Sequence, residues 1–154
     1  MATAVNGRPG FPMNTTTSIA RLLPLLESSL AMYISDAGIW SYPGAEDFKL
    51  ALADLVADHK SIIERGGAIL EERGAALPRH PYPIQFTATH DLDLRFLMPR
   101  VLAELRRQTA DIGAIVEAGG DPVGVELARE ARNTTMSHAD VIGQLLARVG
   151  SAVS

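Results

Sequence analysis

No cysteine occurs among the 154 residues. Disulfides, thiolate nucleophiles and Cys-ligated zinc or iron–sulfur sites are therefore excluded. Aromatic residues are scarce at 5% and β-branched runs are few, while alanine and leucine dominate the 47% hydrophobic content. That balance favours helix over sheet. No apolar run approaches the roughly 20 residues of a membrane span, and the first residues lack the basic-then-apolar order of a signal peptide. The expectation is a soluble cytoplasmic protein with no membrane partner. Charge of one sign is not concentrated either: 14 basic and 18 acidic residues leave a net −4, and the arginines are dispersed, so nucleic acid is not an expected partner. A nucleophile elbow, a Walker-type phosphate loop and a dinucleotide fingerprint are also missing. The sequons at Asn14 and Asn133 carry no weight in a chain not expected to be secreted.

What the chain does have is helical periodicity punctuated by proline and glycine. Its length fits one domain able to bury a core without disulfides or a structural metal. Residues 1–16, with two prolines and two glycines, read as a flexible arm whose one large anchor is Phe11. Thr15, Thr16 and Thr17 offer caps for a helix over 17–37, with Leu23, Leu26, Leu30 and Ile34 inward and Pro24 as a kink or a late start. Ser41-Tyr42-Pro43-Gly44 is turn chemistry. A second helix over 45–73 carries the stripe Phe48, Leu52, Leu55, Val56, His59, Ile62, Ile69 and Leu70, and Gly74 stops it. Within it, Gly66-Gly67 implies close helix approach or local weakness.

Residues 74–89 contain three prolines and are expected to be an extended connection ending at a cap near Thr89 or Asp91. Such a segment spans up to roughly 50 Å at about 3.3 Å per residue, more than the roughly 42 Å length of the preceding helix. The connection can therefore cross the whole domain. A third helix over 91–118 follows, with Pro99 as a kink and Gly119-Gly120 as its end. Asp121-Pro122 opens a fourth over 122–149, with Leu127, Ala131, Thr134, His138, Val141, Ile142, Leu145 and Val149 on one face and a tail over 150–154. The expected fold is all-α: a four-helix bundle over 17–149 with a long crossover between helices 2 and 3 and two approximately repeated halves, DHKSIIERGGAIL against SHADVIGQLLARV.

His59 and His138 each interrupt an apolar stripe, and each follows a glutamate on the preceding helix, Glu27 by 32 residues and Glu104 by 34. A bundle built this way aims two carboxylates and two imidazoles at one interior point, so Glu27, His59, Glu104 and His138 are candidate metal ligands. An interior carboxylate without a partner costs several kcal/mol or protonates. The plainer reading places the glutamates at the stripe edge and makes the histidines neutral hydrogen-bond partners. Asp58 lies about 100° off the stripe and reads as solvated or as a support to a ligand. Tyr33 and Gln108 read as core or hydrogen-bonding residues, and His80 and His90 as exposed residues of the connection.

Helix order, crossover and the Glu…His…Glu…His spacing over about residues 17–149 resemble the ferritin-like superfamily, which includes the rubrerythrins and bacterioferritins. In that family a Glu-x-x-His motif on helices 2 and 4 joins a glutamate from helices 1 and 3 to bind two irons. Here Val56 and Thr135 replace the glutamates three residues before each histidine, so both bridging carboxylates are missing. The resemblance implies a reduced site, suited to one Fe²⁺, Mn²⁺ or Zn²⁺ in a redox or metal-handling role. The alternatives are a metal-free bundle acting as a structural or interaction module, and a small-molecule carrier or part of a larger assembly, with the apolar N-terminal arm and the Trp40–Tyr42 turn as contact surfaces. Ferritin-like bundles commonly pair, so a homo-oligomer is expected.

Overall fold

Apolar residues recur at helical spacing through most of the chain, and the long elements are helices. The computed structural model describes residues 13–77 and 81–153; most of the expected N-terminal arm, with Phe11, and His80 lie outside the described residues. The helices are α1 (Met13–Glu27), α2 (Leu30–Ala37), α3 (Glu46–Glu72), α4 (Leu94–Ala118) and α5 (Pro122–Val153), with short 3-10 turns at Ile39–Ser41 and Ile84–Thr89. The described residues contain no strand, and none of their helices is long and apolar enough to cross a membrane.

Several boundaries differ from the expectation, beginning with the first helix, which starts at Met13 rather than at 17. The single helix expected over 17–37 is two, because consecutive serines take over the backbone where it breaks. The Ser28 hydroxyl donates to the Pro24 carbonyl at 2.7 Å, and Ser29 caps α2 by accepting from the Met32 N–H at 3.1 Å. The connection expected to be wholly extended winds into the Ile84–Thr89 turn. Its last proline is Pro83, and beyond it the hydroxyls of Thr87 and Thr89 donate to the carbonyls of Ile84 and Phe86, each at 2.7 Å. The cap of α4 is Asp93, which accepts from the Arg95 N–H at 2.9 Å, rather than Thr89 or Asp91. At the other end of the chain, α5 runs to Val153, through most of the expected tail.

The start of α4 is pinned beside the loop that precedes α3. Leu94 N–H donates to the Pro43 carbonyl at 2.8 Å, and a Cβ on Gly44, whose φ is 143°, would lie 2.7 Å from Leu94 Cβ. Glycine is required there twice over, by conformation and by space. Helix α5 packs most extensively on α4 and also on α1 and α3, whereas α3 and α4 barely touch. Gly66 provides the close approach expected of it: a Cβ there would sit 2.8 Å from Leu23 Cδ2 and 3.3 Å from Leu127 Cδ2. Val141 and Val149, expected inward, are exposed; Ile142 and Leu145, expected on the same face, do reach the core, and Leu146 packs against it as well.

The buried side chains form two apolar clusters rather than one. The first joins α2 to the N-terminal half of α3, the N-terminal half of α4 and the later part of α5, through residues such as Leu52, Leu55, Leu97, Val101 and Ile142. The second joins α1 to the other ends of the same helices through Leu22, Leu26, Ile62, Ile112 and Leu127. Each long helix passes from one cluster to the other, and the passage is marked by polar residues.

Candidate functional site

Between the two clusters the α1–α2 break and each of the three long helices contribute a polar side chain to the interior. Ser29 comes from the α1–α2 break, His59 from α3, Gln108 from α4 and Thr135 from α5, and all four are buried. Glu104, one turn before Gln108, is half-buried at the edge of this layer. An interior polar group must find a partner or lose its hydration without compensation, so the layer is defined by its pairings.

His59 is 1% exposed, and its Nε2 shares a hydrogen bond with Thr135 Oγ1 at 3.1 Å. Burial lowers its pKa from 6.5 to about 4, the His138 ring adds to the depression, and Asp58 opposes it. The imidazole is thus neutral at pH 7. His138 Nε2–H donates to Asp58 Oδ2 at 2.7 Å, with the histidine side chain 14% and the aspartate 58% exposed. Asp58, which the spacing had set aside from the stripe, is therefore the direct partner of His138.

Glu104 turns to the helix break. Its Oε1 accepts from the Leu30 N–H at 2.8 Å, an otherwise orphaned donor in the first turn of α2. Burial raises the Glu104 pKa, while that N–H and the charge of Arg107 pull it down. Gln108 Nε2 donates to the Leu25 carbonyl at 2.7 Å, an acceptor in the last turn of α1. Glu104 and Gln108 together cap the broken helix from a distant element. Gln108 Oε1 remains buried without a partner. Glu27, at the end of α1, is half-buried, and its charge is among the influences that raise the Tyr82 pKa, after burial and the Asp36 hydrogen bond.

Tyr33 and His90 form a second polar cluster under the Ile84–Thr89 turn. Tyr33 Oη lies 2.5 Å from His90 Nε2, and Tyr82 donates to Asp36 Oδ2 at 2.5 Å. Tyr33 also meets the Tyr82 and Phe86 rings, at 5.1 and 5.6 Å between centroids.

No family model matches the chain, and neither a curated protein nor a solved structure matches it.

The structure does not group Glu27, His59, Glu104 and His138 as one set of ligands. Among the described residues no three His, Asp or Glu side chains are grouped so that they could hold a metal. His59 Nε2 faces a hydroxyl, His138 Nε2 faces Asp58, and one Glu104 oxygen serves the α2 backbone. Sequence spacing located the polar layer through His59 and Glu104. It missed Thr135 as a partner, although Thr135 stands where the ferritin-like motif has a glutamate, and it missed the capping role of Glu104.

Proposed function

We propose that the chain is a metal-free four-helix bundle of ferritin-like helix order that works as a structural or interaction module. In this reading α1 and α2 together form the first arm, and residues 73–93 form the crossover. The Leu94–Pro43 hydrogen bond supports that path. It ties the start of α4 to the loop that precedes α3, and this reading takes the connection to return along the 27-residue helix, about 40 Å long.

The observation that carries the metal-free reading is the commitment of the candidate ligands to other partners. Glu104 could join an ion through the oxygen that serves Leu30 only by leaving an α2 N–H unsatisfied, a loss of about 1–3 kcal/mol. The ring nitrogen of His59 that reaches into the interior is likewise engaged by Thr135. The experiment is elemental analysis of untagged protein purified without chelator. The expected result is substoichiometric iron, manganese and zinc. About one equivalent of any of these, lost in a His59→Ala/His138→Ala variant, would replace this reading with a Glu/His metal site.

A further inference from the structure

The Ile84–Thr89 turn borders a cavity of about 330 Å³. Gln85 and Phe86 of the turn line it together with Leu30 of α2 and Glu104 of α4. The hydrogen bond from the Leu30 N–H to Glu104 Oε1 therefore joins two residues of the cavity lining.

The turn is attached to the rest of the molecule mainly through side chains. Its backbone packs closely on none of the described helices. Ile84 is 82% exposed, Gln85, Thr87 and Ala88 are exposed as well, and the hydroxyls of Thr87 and Thr89 donate within the turn itself. What holds the segment down lies at its two ends. Before the turn, Tyr82 donates to Asp36. After it, His90 shares a hydrogen bond with Tyr33 and stacks on the Tyr42 ring. Tyr33 and Asp36 stand at i and i+3 on α2, so both hydrogen bonds reach neighbouring positions of one helix. Phe86 is the turn's one large inward anchor, against the Tyr33 and Tyr82 rings.

We propose that residues 82–90 form a strap that lifts from the folded bundle as a unit, with the Tyr82–Asp36 and Tyr33–His90 hydrogen bonds as its latches. A segment with few close contacts and few buried apolar side chains opens at lower free energy than the packed helices around it. Lifting removes the Phe86 wall from the cavity and bares the Leu30–Glu104 hydrogen bond to solvent. Helices α2 and α4 keep their places, because Leu30, Ile34, Leu97 and Val101 belong to the first apolar cluster.

The test is native-state hydrogen exchange of the full-length ¹⁵N-labelled chain in dilute urea, read amide by amide. Leu30 reports the strap, and Ile34, one turn deeper in α2, reports the helix itself. Leu30 is expected to be at least about tenfold less protected than Ile34, with little dependence on urea, because lifting a strap exposes little surface. Tyr82→Phe and Tyr33→Phe each remove one latch and keep the ring. Each should speed Leu30 exchange by about five- to tenfold, the factor for one net hydrogen bond. Unchanged Leu30 exchange in either variant would overturn the proposal. So would Leu30 and Ile34 exchanging together with a steep urea dependence, which would mark unwinding of α2 rather than a lifting strap.

Discussion

His59 is the residue whose protonation bears most directly on the fold. Its pKa is lowered to about 4 in the folded chain from 6.5, so the unfolded chain binds the proton more readily. Its contribution is therefore complete above about pH 6.5 and is lost as pH falls towards 4. The loss between pH 7.5 and 4.5 is expected to be about 2–3 kcal/mol, read from urea unfolding at the two pH values. His59→Gln should remove that part of the pH dependence, and an unchanged acid response in the variant would show that other groups carry it. Thr135→Val leaves the buried imidazole without its partner, and its expected cost is about 1–3 kcal/mol at neutral pH. The exposed Arg65–Glu130 pair at 2.6 Å, by contrast, contributes little.

At the scale of elements, the break between α1 and α2 is held from outside by α4. Glu104→Ala orphans the Leu30 N–H and should lower unfolding free energy by about 1–3 kcal/mol, while Glu104→Gln should cost much less because an acceptor remains. Equal losses in the two variants, measured by denaturant titration, would exclude the capping role. Gly44→Ala is expected to destabilise by about 1–3 kcal/mol, since it meets both a φ of 143° and Leu94. The stripes of α3 and α4 were legible in the sequence because they depend on local periodicity, and the prolines and paired glycines placed the connections. The Ser28-Ser29 break was legible in principle, because paired serines offer the backbone both a hydroxyl donor and a cap, but the apolar stripe runs through it without interruption. Capping by Glu104 was not legible, for its partner lies 74 residues away. Likewise, the stripe around His59 turns the ring inward but does not specify whether Thr135 or a carboxylate meets it, since that partner comes from a helix 76 residues away.

At the scale of the whole molecule, two apolar clusters are separated by a layer in which Ser29, His59, Gln108 and Thr135 come from different elements. A register slip by one helix would bring these groups against aliphatic side chains and leave them unsatisfied, a larger penalty than the loss of packing alone. The layer thus favours a single alignment of the helices, which gives buried polar residues a purpose without any bound ion. The similar spacing of the two Glu…His pairs, 32 and 34 residues, marked this level in the sequence. Their chemistry depends on partners that spacing does not specify. The most direct test is the unfolding free energy of the purified chain with chelator and with saturating Fe²⁺, Mn²⁺ or Zn²⁺. The account predicts the same value in every condition. A gain on the order of 2.7 kcal/mol, as expected when a metal that binds only the folded chain is at about 100 times its dissociation constant, would contradict it if His59→Ala/His138→Ala abolished that gain.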